Sequence, residues 1–242
     1  TWTESARLNC SKILGLKGPL YSGIGSTRFW ASFEQGRVTS ITADLALADV
    51  RAQLAPKLAE LRLPRLTGRL HYADDGSQTR FSAKDFTFTT TNDARFGPSD
   101  IEAQCDHDVS GTVIGCSFKA SELSLSNIAK IGTSLPLPAA ALKLLRDRPF
   151  SGTLRQLNAS FNGDYADLGA WTFSSFFTGL SLPPANDGMP GVRNISGEIS
   201  TSNPGEFEVD LDTHYATLYF PGIFRHPQMN FSSITGRVSA AL

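Results

Sequence analysis

The stretch Met189-Pro190-Gly191-Val192-Arg193-Asn194-Ile195-Ser196-Gly197-Glu198-Ile199, continued by Phe207-Glu208-Val209-Asp210-Leu211, decides the fold. Ile195, Gly197 and Ile199 stand at alternate positions, and Phe207, Val209 and Leu211 alternate with Glu206, Glu208, Asp210 and Asp212. Period two puts the apolar residues on one face of a strand and the carboxylates on the other. Ser202-Asn203-Pro204-Gly205 supplies the turn, so the stretch reads as one β-hairpin.

The opening of this hairpin recurs. A Ser or Thr followed by Gly, leading back to apolar residues, stands at Thr67-Gly68, Ser110-Gly111, Ser151-Gly152, Ser196-Gly197 and Thr235-Gly236. A period of roughly 40 residues with this scatter fits a supersecondary unit whose apolar face needs its neighbours. Units are expected to start near residues 66, 110, 150, 195 and 234. Residues 29–33 and 41–47 form another hairpin of the same style, and Asp74-Asp75-Gly76 marks a turn. Two stretches break the alternation. Val50, Leu54, Leu58 and Leu61 have helical spacing behind Asp49 as a possible N-cap, and residues 124–147 read as two short helices with Pro138 at a helix start. Residues 1–20 carry no clear signal. The expectation is a mainly β chain: one repeat-built domain over residues 1–242, an elongated, curved, antiparallel-rich sheet with short helices near 50–61 and 124–147.

Composition narrows the function classes. The net charge is −1, only 19% of residues are charged, and no basic run or zinc-finger pattern occurs, which argues against nucleic acid. No apolar run is long enough for a membrane helix, and Thr1-Trp2-Thr3-Glu4 is not a signal peptide. Because the last residues open a further unit, the chain is expected to be a fragment of a longer one. Three cysteines cannot form a closed disulfide framework. Cys105 and Cys116 flank the Ser110-Gly111 turn: either they bond across a hairpin in an oxidising compartment or they are two small residues in strands.

Nothing assembles a catalytic site or calls for a cofactor. Asp106-His107-Asp108 beside Cys105 is the one local cluster of metal-ligand types, but three consecutive strand residues cannot point one way, so no metal site is expected. His214 and His226 lack a nucleophile motif, and the carboxylates of 206–212 lie on a wet strand face.

Phe150-Ser151-Gly152-Thr153-Leu154-Arg155-Gln156-Leu157, Phe176-Phe177-Thr178-Gly179-Leu180-Ser181-Leu182-Pro183, Met189 to Gly197 and Tyr219-Phe220-Pro221 resemble the YhdP-type branch of the AsmA-like proteins of Gram-negative bacteria. Leu135-Pro136-Leu137-Pro138 and the helix after it share the likeness. The resemblance implies a periplasmic, strand-rich trough, anchored in full length at the inner membrane, that carries phospholipid toward the outer membrane. It also implies that membrane components at either end are met through parts of the chain not present here. The family offers no catalytic motif to carry over.

A trough suits that task. About 30 methylenes of a two-chain lipid, at about 0.8 kcal/mol each, would cost over 20 kcal/mol in water. About ten strands at roughly 4.8 Å spacing would make a floor of about 45–50 Å. Alternation places Leu45, Leu47, Phe86, Phe88, Phe161, Phe173, Val209 and Leu211 on the apolar face, and these are the expected lipid contacts. The same residues would instead simply fill a closed sandwich if the sheet folded on itself. The competing functional reading is an envelope scaffold that binds proteins by strand addition at exposed sheet edges.

Overall fold

The computed structural model describes residues 20–34, 36–54, 57–135, 137, 139–163, 171–184, 189–203 and 206–241. Residues 1–20 apart from Leu20, Cys10, Pro56, Pro138 and the Pro204-Gly205 part of the expected turn lie outside them. Strand occupies 72% of the structure, so backbone pairing between strands, not helix packing, organises it.

Eleven strands follow in chain order: β1 Leu20–Glu34, β2 Arg37–Ala52, β3 Leu61–Asp74, β4 Gln78–Thr89, β5 Arg95–His107, β6 Val113–Ser124, β7 Ser151–Asn162, β8 Trp171–Leu182, β9 Gly191–Asn203, β10 Glu206–Tyr219 and β11 Gln228–Ala241. Each is hydrogen-bonded to its neighbours in sequence, giving one open antiparallel sheet in the order β1 to β11. Between β6 and β7 stand helix α1 (Leu125–Ile131), a 3-10 turn (Gly132–Ser134) and helix α2 (Ala139–Asp147), the two short helices expected there. The chain forms two compact units. Unit 1 holds Thr1–Ile114 and Lys130–Leu137; unit 2 holds Gly115–Ala129 and Pro138–Leu242.

The hairpin of residues 191–219 forms as its alternation requires. Val209 stands opposite Ile199 and Leu211 opposite Gly197. On the far face Asp210 lies opposite Glu198, and Arg237 of β11 holds both Asp210, at 2.7 Å, and Glu208, at 3.0 Å. Like charges opposite one another repel, and Arg237, on the β11 side of Asp210, offsets part of that by pairing with Asp210 and Glu208.

One expectation is corrected. Among its described residues the stretch 50–61 holds no helix: β2 runs through Asp49 to Ala52, β3 begins at Leu61, and Val50 pairs with Leu63. The three-and-four spacing came from two strand ends and the short connection between them. Asp49, at φ 52°, is a left-handed residue inside β2 and caps nothing. Of the recurring Ser/Thr-Gly pairs, Gly68, Gly152, Gly197 and Gly236 lie within β3, β7, β9 and β11, and Gly111 sits in the β5–β6 turn, where the sequence places a turn.

The buried residues form a separate cluster in each unit. In unit 1, Val50, Leu61, Leu63, Leu66, Phe88, Ala94 and Phe96 are buried where β2 to β5 meet their connections. The segment Lys130–Leu137 is fastened there: Ala59 N–H donates to Thr133 C=O at 3.1 Å, Asn92 Nδ2 to Lys130 C=O at 3.3 Å, and Lys130 Nζ to Asp93 C=O at 3.4 Å. Ile131, on that segment, is itself buried. In unit 2 the core is Phe177, Ile195 and Ala216, with Leu154, Leu180, Val192, Val209, Leu211 and Ile234 packed against it.

Candidate functional site: the apolar face of each unit

Residues paired in register point to the same face, so the pairing converts the sequence into rows of side chains. In unit 1 one row runs Leu47, Leu66, Phe88, Phe96 across β2 to β5. The next carries Thr27, Leu45 and Gly68. Then come Phe29, Ala43, Leu70, Ala83 and Ile101, and after them Ala31, Ile41, Tyr72, Phe81 and Ala103. All lie on one face. The opposite face carries Arg28, Asp44, Arg69 and Lys84, with Arg69 Nη2 on Asp44 at 3.0 Å, and Thr42 hydrogen-bonded to His71 at 2.9 Å. That guanidinium holds the Asp44 carboxyl below its ordinary range.

Unit 2 repeats the division. Cys116, Phe161 and Trp171 form one row; Phe118, Ala159 and Phe173 the next; Ser175, Ile199, Val209 and Val238 a third; Leu154, Phe177, Gly197, Leu211 and Gly236 a fourth. Ring contacts tie neighbouring strands together: Phe161 with Trp171 at 4.8 Å between centroids, and Phe173 with Phe207 at 5.4 Å.

All eight residues singled out by alternation are thus on the apolar faces, Leu45, Leu47, Phe86 and Phe88 in unit 1, Phe161, Phe173, Val209 and Leu211 in unit 2. They are not equivalent. Phe88, 6% exposed, stacks on Phe96 at 4.8 Å in the closed end of unit 1, and Phe161 is 8% exposed. The other six are half-buried. Residues of the same floor that alternation did not single out include Leu70, Tyr72, Phe81, Trp171 and Ile199. The missing signal is a set of bulges. At Asp85 (φ 50°) β4 gains one residue against β3, and at Gln156 (φ 51°) β7 gains one against β8. Phe81 and Phe86, an odd number of positions apart, therefore share a face, as do Leu154 and Leu157.

Gly68 is what lets the unit 1 floor close over the first bulge. A Cβ there would sit 3.0 Å from the Phe86 Cα, at φ +143°. A side chain would push β3 and β4 apart.

The remaining polar clusters have structural uses. Asp106 accepts from Gln78 Nε2 at 2.6 Å, His107 Nε2 lies 2.8 Å from Thr79 Oγ1, and Asp108 accepts from the backbone N–H groups of Ser110 (2.8 Å) and Thr112 (3.0 Å). Those turn contacts hold the Asp108 carboxyl below its ordinary range. Three side chains with three separate partners do not converge. Among the described residues no group of three or more His, Cys, Asp or Glu is placed to hold a metal ion, and no helix is long and apolar enough to cross a membrane. Cys105 and Cys116 are both disulfide-bonded, which decides between the two readings of that pair. An open cleft of about 330 Å³ in unit 2 is lined by Ser117, Asn158, Ser160, Thr172, Ser174 and Ser200 of the polar rows together with Phe118, Ala159 and Phe173 of an apolar row.

No curated protein and no solved structure matches the chain. The sequence model of the family described as YhdP protein matches residues 2–241, essentially the whole chain, and its span includes the Phe150–Leu157, Phe176–Pro183 and Met189–Gly197 segments that build β7, β8 and β9. The chain belongs to the YhdP family.

Proposed function

We propose that this chain is a segment of a periplasmic lipid-transfer protein, and that phospholipid acyl chains lie across its strands on the apolar faces. The observation that carries the reading is the run of apolar rows in each unit, four in unit 1 across β1 to β5 and four in unit 2 across β6 to β11, with most of their members only half-buried. A core residue is sealed by a second layer; these side chains are covered by neighbours in their own sheet. Leu45, Leu47, Phe86, Phe173, Val209 and Leu211 are the contacts. Phe88 and Phe161 support the floor from within. The headgroup stays in water while each strand spacing, about 4.8 Å, shields a further length of chain.

Two further features agree with an extracytoplasmic place. The bonded pair Cys105 and Cys116 suits an oxidising compartment, and the family is one of envelope proteins. No step of chemistry is required of any residue: transfer is movement along a surface with small local barriers.

Native mass spectrometry of the purified 242-residue chain tests the reading. It is expected to show phospholipid retained in substoichiometric to stoichiometric amount and removable by delipidation. A chain that emerges lipid-free and takes up none from added phospholipid contradicts it. The scaffold reading rests on β1 and β11, each with one neighbour in the sheet among the described residues, and on the exposed Ile24, Phe29 and Phe33 of β1. It predicts captured protein in place of lipid.

A further inference from the structure

The β10–β11 connection reads Phe220-Pro221-Gly222-Ile223-Phe224-Arg225-His226-Pro227. It is a built loop. Phe220 N–H donates to Pro227 C=O at 2.8 Å and closes its base; Ile223 N–H donates to Phe220 C=O at 3.4 Å and turns its apex. The rings of Phe220 and Phe224 meet edge to face at 5.8 Å. The result is an ordered tip that holds two large apolar side chains in solvent, Ile223 at 64% and Phe224 at 50% exposure. Phe224 gains only its edge contact with Phe220 and Ile223 stays in solvent, so burial does not account for two large apolar side chains at this tip.

The segments around them hold more cations than acids, Lys143, Arg146, Arg148 and Arg225 against Asp147 and Asp187. Arg225 and His226 follow directly, and no Asp or Glu occurs after Asp212. In an antiparallel sheet the C-terminal ends of β8 and β10 lie at one end, which puts the β8–β9 connection beside this tip, with Met189 exposed on it. The C-terminus of α2 is pinned to that connection: Arg148 Nη2 donates to Pro183 C=O at 3.2 Å and to Pro190 C=O at 3.0 Å. The pin brings the exposed Lys143 and Arg146 of α2 to the same end of unit 2. The one described acid there, Asp147, is engaged by Arg146 at 3.4 Å.

We propose that this end of unit 2 docks on an anionic phospholipid surface, with Ile223 and Phe224 entering the headgroup boundary and Arg225, Lys143 and Arg146 lying over lipid phosphates. An exposed apolar pair supplies insertion and the neighbouring cations supply attraction to negative charge. The charge complementarity favours a lipid surface over an apolar protein partner. Two side chains and three cations make a shallow, reversible contact, so the segment can leave the surface as easily as it arrives. The docking does not depend on the lipid floor: one concerns a bilayer surface met by loops, the other single acyl chains met by strand faces.

Flotation of the 242-residue chain with vesicles tests it. Binding is expected to phosphatidylethanolamine vesicles containing phosphatidylglycerol, weaker binding to pure phosphatidylcholine, and a loss as salt rises. Combined Ile223→Ser and Phe224→Ser should lower partitioning about tenfold or more, and Arg225→Glu about fivefold or more. Tyr215→Ser, which removes an 81% exposed side chain within β10, should leave it unchanged. Vesicle binding that ignores Ile223→Ser/Phe224→Ser overturns the proposal. So does a wild-type chain that binds no vesicle while those substitutions abolish a self-associated species in sedimentation velocity. Retention of single lipids in native mass spectra should be the same in the tip variant and the wild type, so the two proposals fail separately.

Discussion

Phe173 and Phe176 lie three residues apart on β8 and on opposite faces, which turns one strand into its own controlled experiment. Phe173 stands opposite Ala159 in an apolar row; Phe176, 46% exposed, stands between Arg155 and Glu198. One strand spacing of about 4.8 Å accommodates about four methylenes of an extended chain, worth about 3 kcal/mol if fully withdrawn from water. A floor covers one side of the chain, so each strand contributes about 1.5 kcal/mol, or about tenfold in affinity. Phe173→Glu replaces that stretch of floor with a carboxylate and should weaken binding of a fluorescent phospholipid at least about tenfold, because the chain must cross the charge or detour around it. Phe176→Glu places the same charge on the far side and should change affinity less than about twofold. The folded state survives both changes. Phe173 is only half-buried, and losing its contact with Phe207 costs about 1–2 kcal/mol. The assay is titration of the probe lipid into each purified variant, with thermal unfolding run beside it. Equal affinity for Phe173→Glu and wild type, or an equal loss in both variants, would refute the assignment of faces to function.

Three other outcomes follow from the same coordinates. Phe88→Ala should destabilise unit 1 by about 3–5 kcal/mol in chemical denaturation, since it empties a buried site and removes the partner stacked on Phe96. Gly97→Ala should cost about 2–4 kcal/mol, measured the same way, because a Cβ at φ +82° would meet the Phe86 carbonyl oxygen at 1.9 Å, and backbone does not yield as a side-chain end does. The turns at Asp75 and Asp108 should loosen in acid. Both carboxyls are held below their ordinary value by hydrogen bonds from Ser77 and from Ser110 and Thr112, so the contribution is complete above about pH 4 and is lost as pH falls through their lowered values. Amide exchange at Ser110 and Thr112 should accelerate in that window, and Asp108→Ala should give the fast rate at every pH.

How far the chain could be read in advance depended on where its strands are regular. Within Ile195–Ile199 and Phe207–Leu211 the alternation is regular, and the hairpin and its two faces followed from it. The helices after Ser124 were legible because apolar residues fell at helical spacing over a long enough window. The same criterion failed at 50–61, where the window spanned the end of one strand, a short connection and the start of the next. The face of each strand residue followed from counting wherever the count stayed between bulges. Across Asp85 and Gln156 parity reverses, and one sequence holds no local mark that tells a left-handed Asp or Gln within a strand from an ordinary one. The closing of one end of the unit 1 floor was not legible either. It depends on Lys130–Leu137 returning to Ala59, Asn92 and Asp93, contacts between segments far apart in the chain. For that reason Phe88 and Leu47, equivalent by alternation, differ in accessibility.

The most direct test places a photoreactive side chain at Leu45 and Phe173 on the apolar faces, and at Asp44 and Ser174, their immediate neighbours in sequence on the polar faces. Irradiation of the protein in lipid-replete cells, followed by mass analysis of the adducts, should yield phospholipid at the first two positions and none at the second two. Equal labelling of both faces, or protein adducts alone at Leu45 and Phe173, would contradict the account.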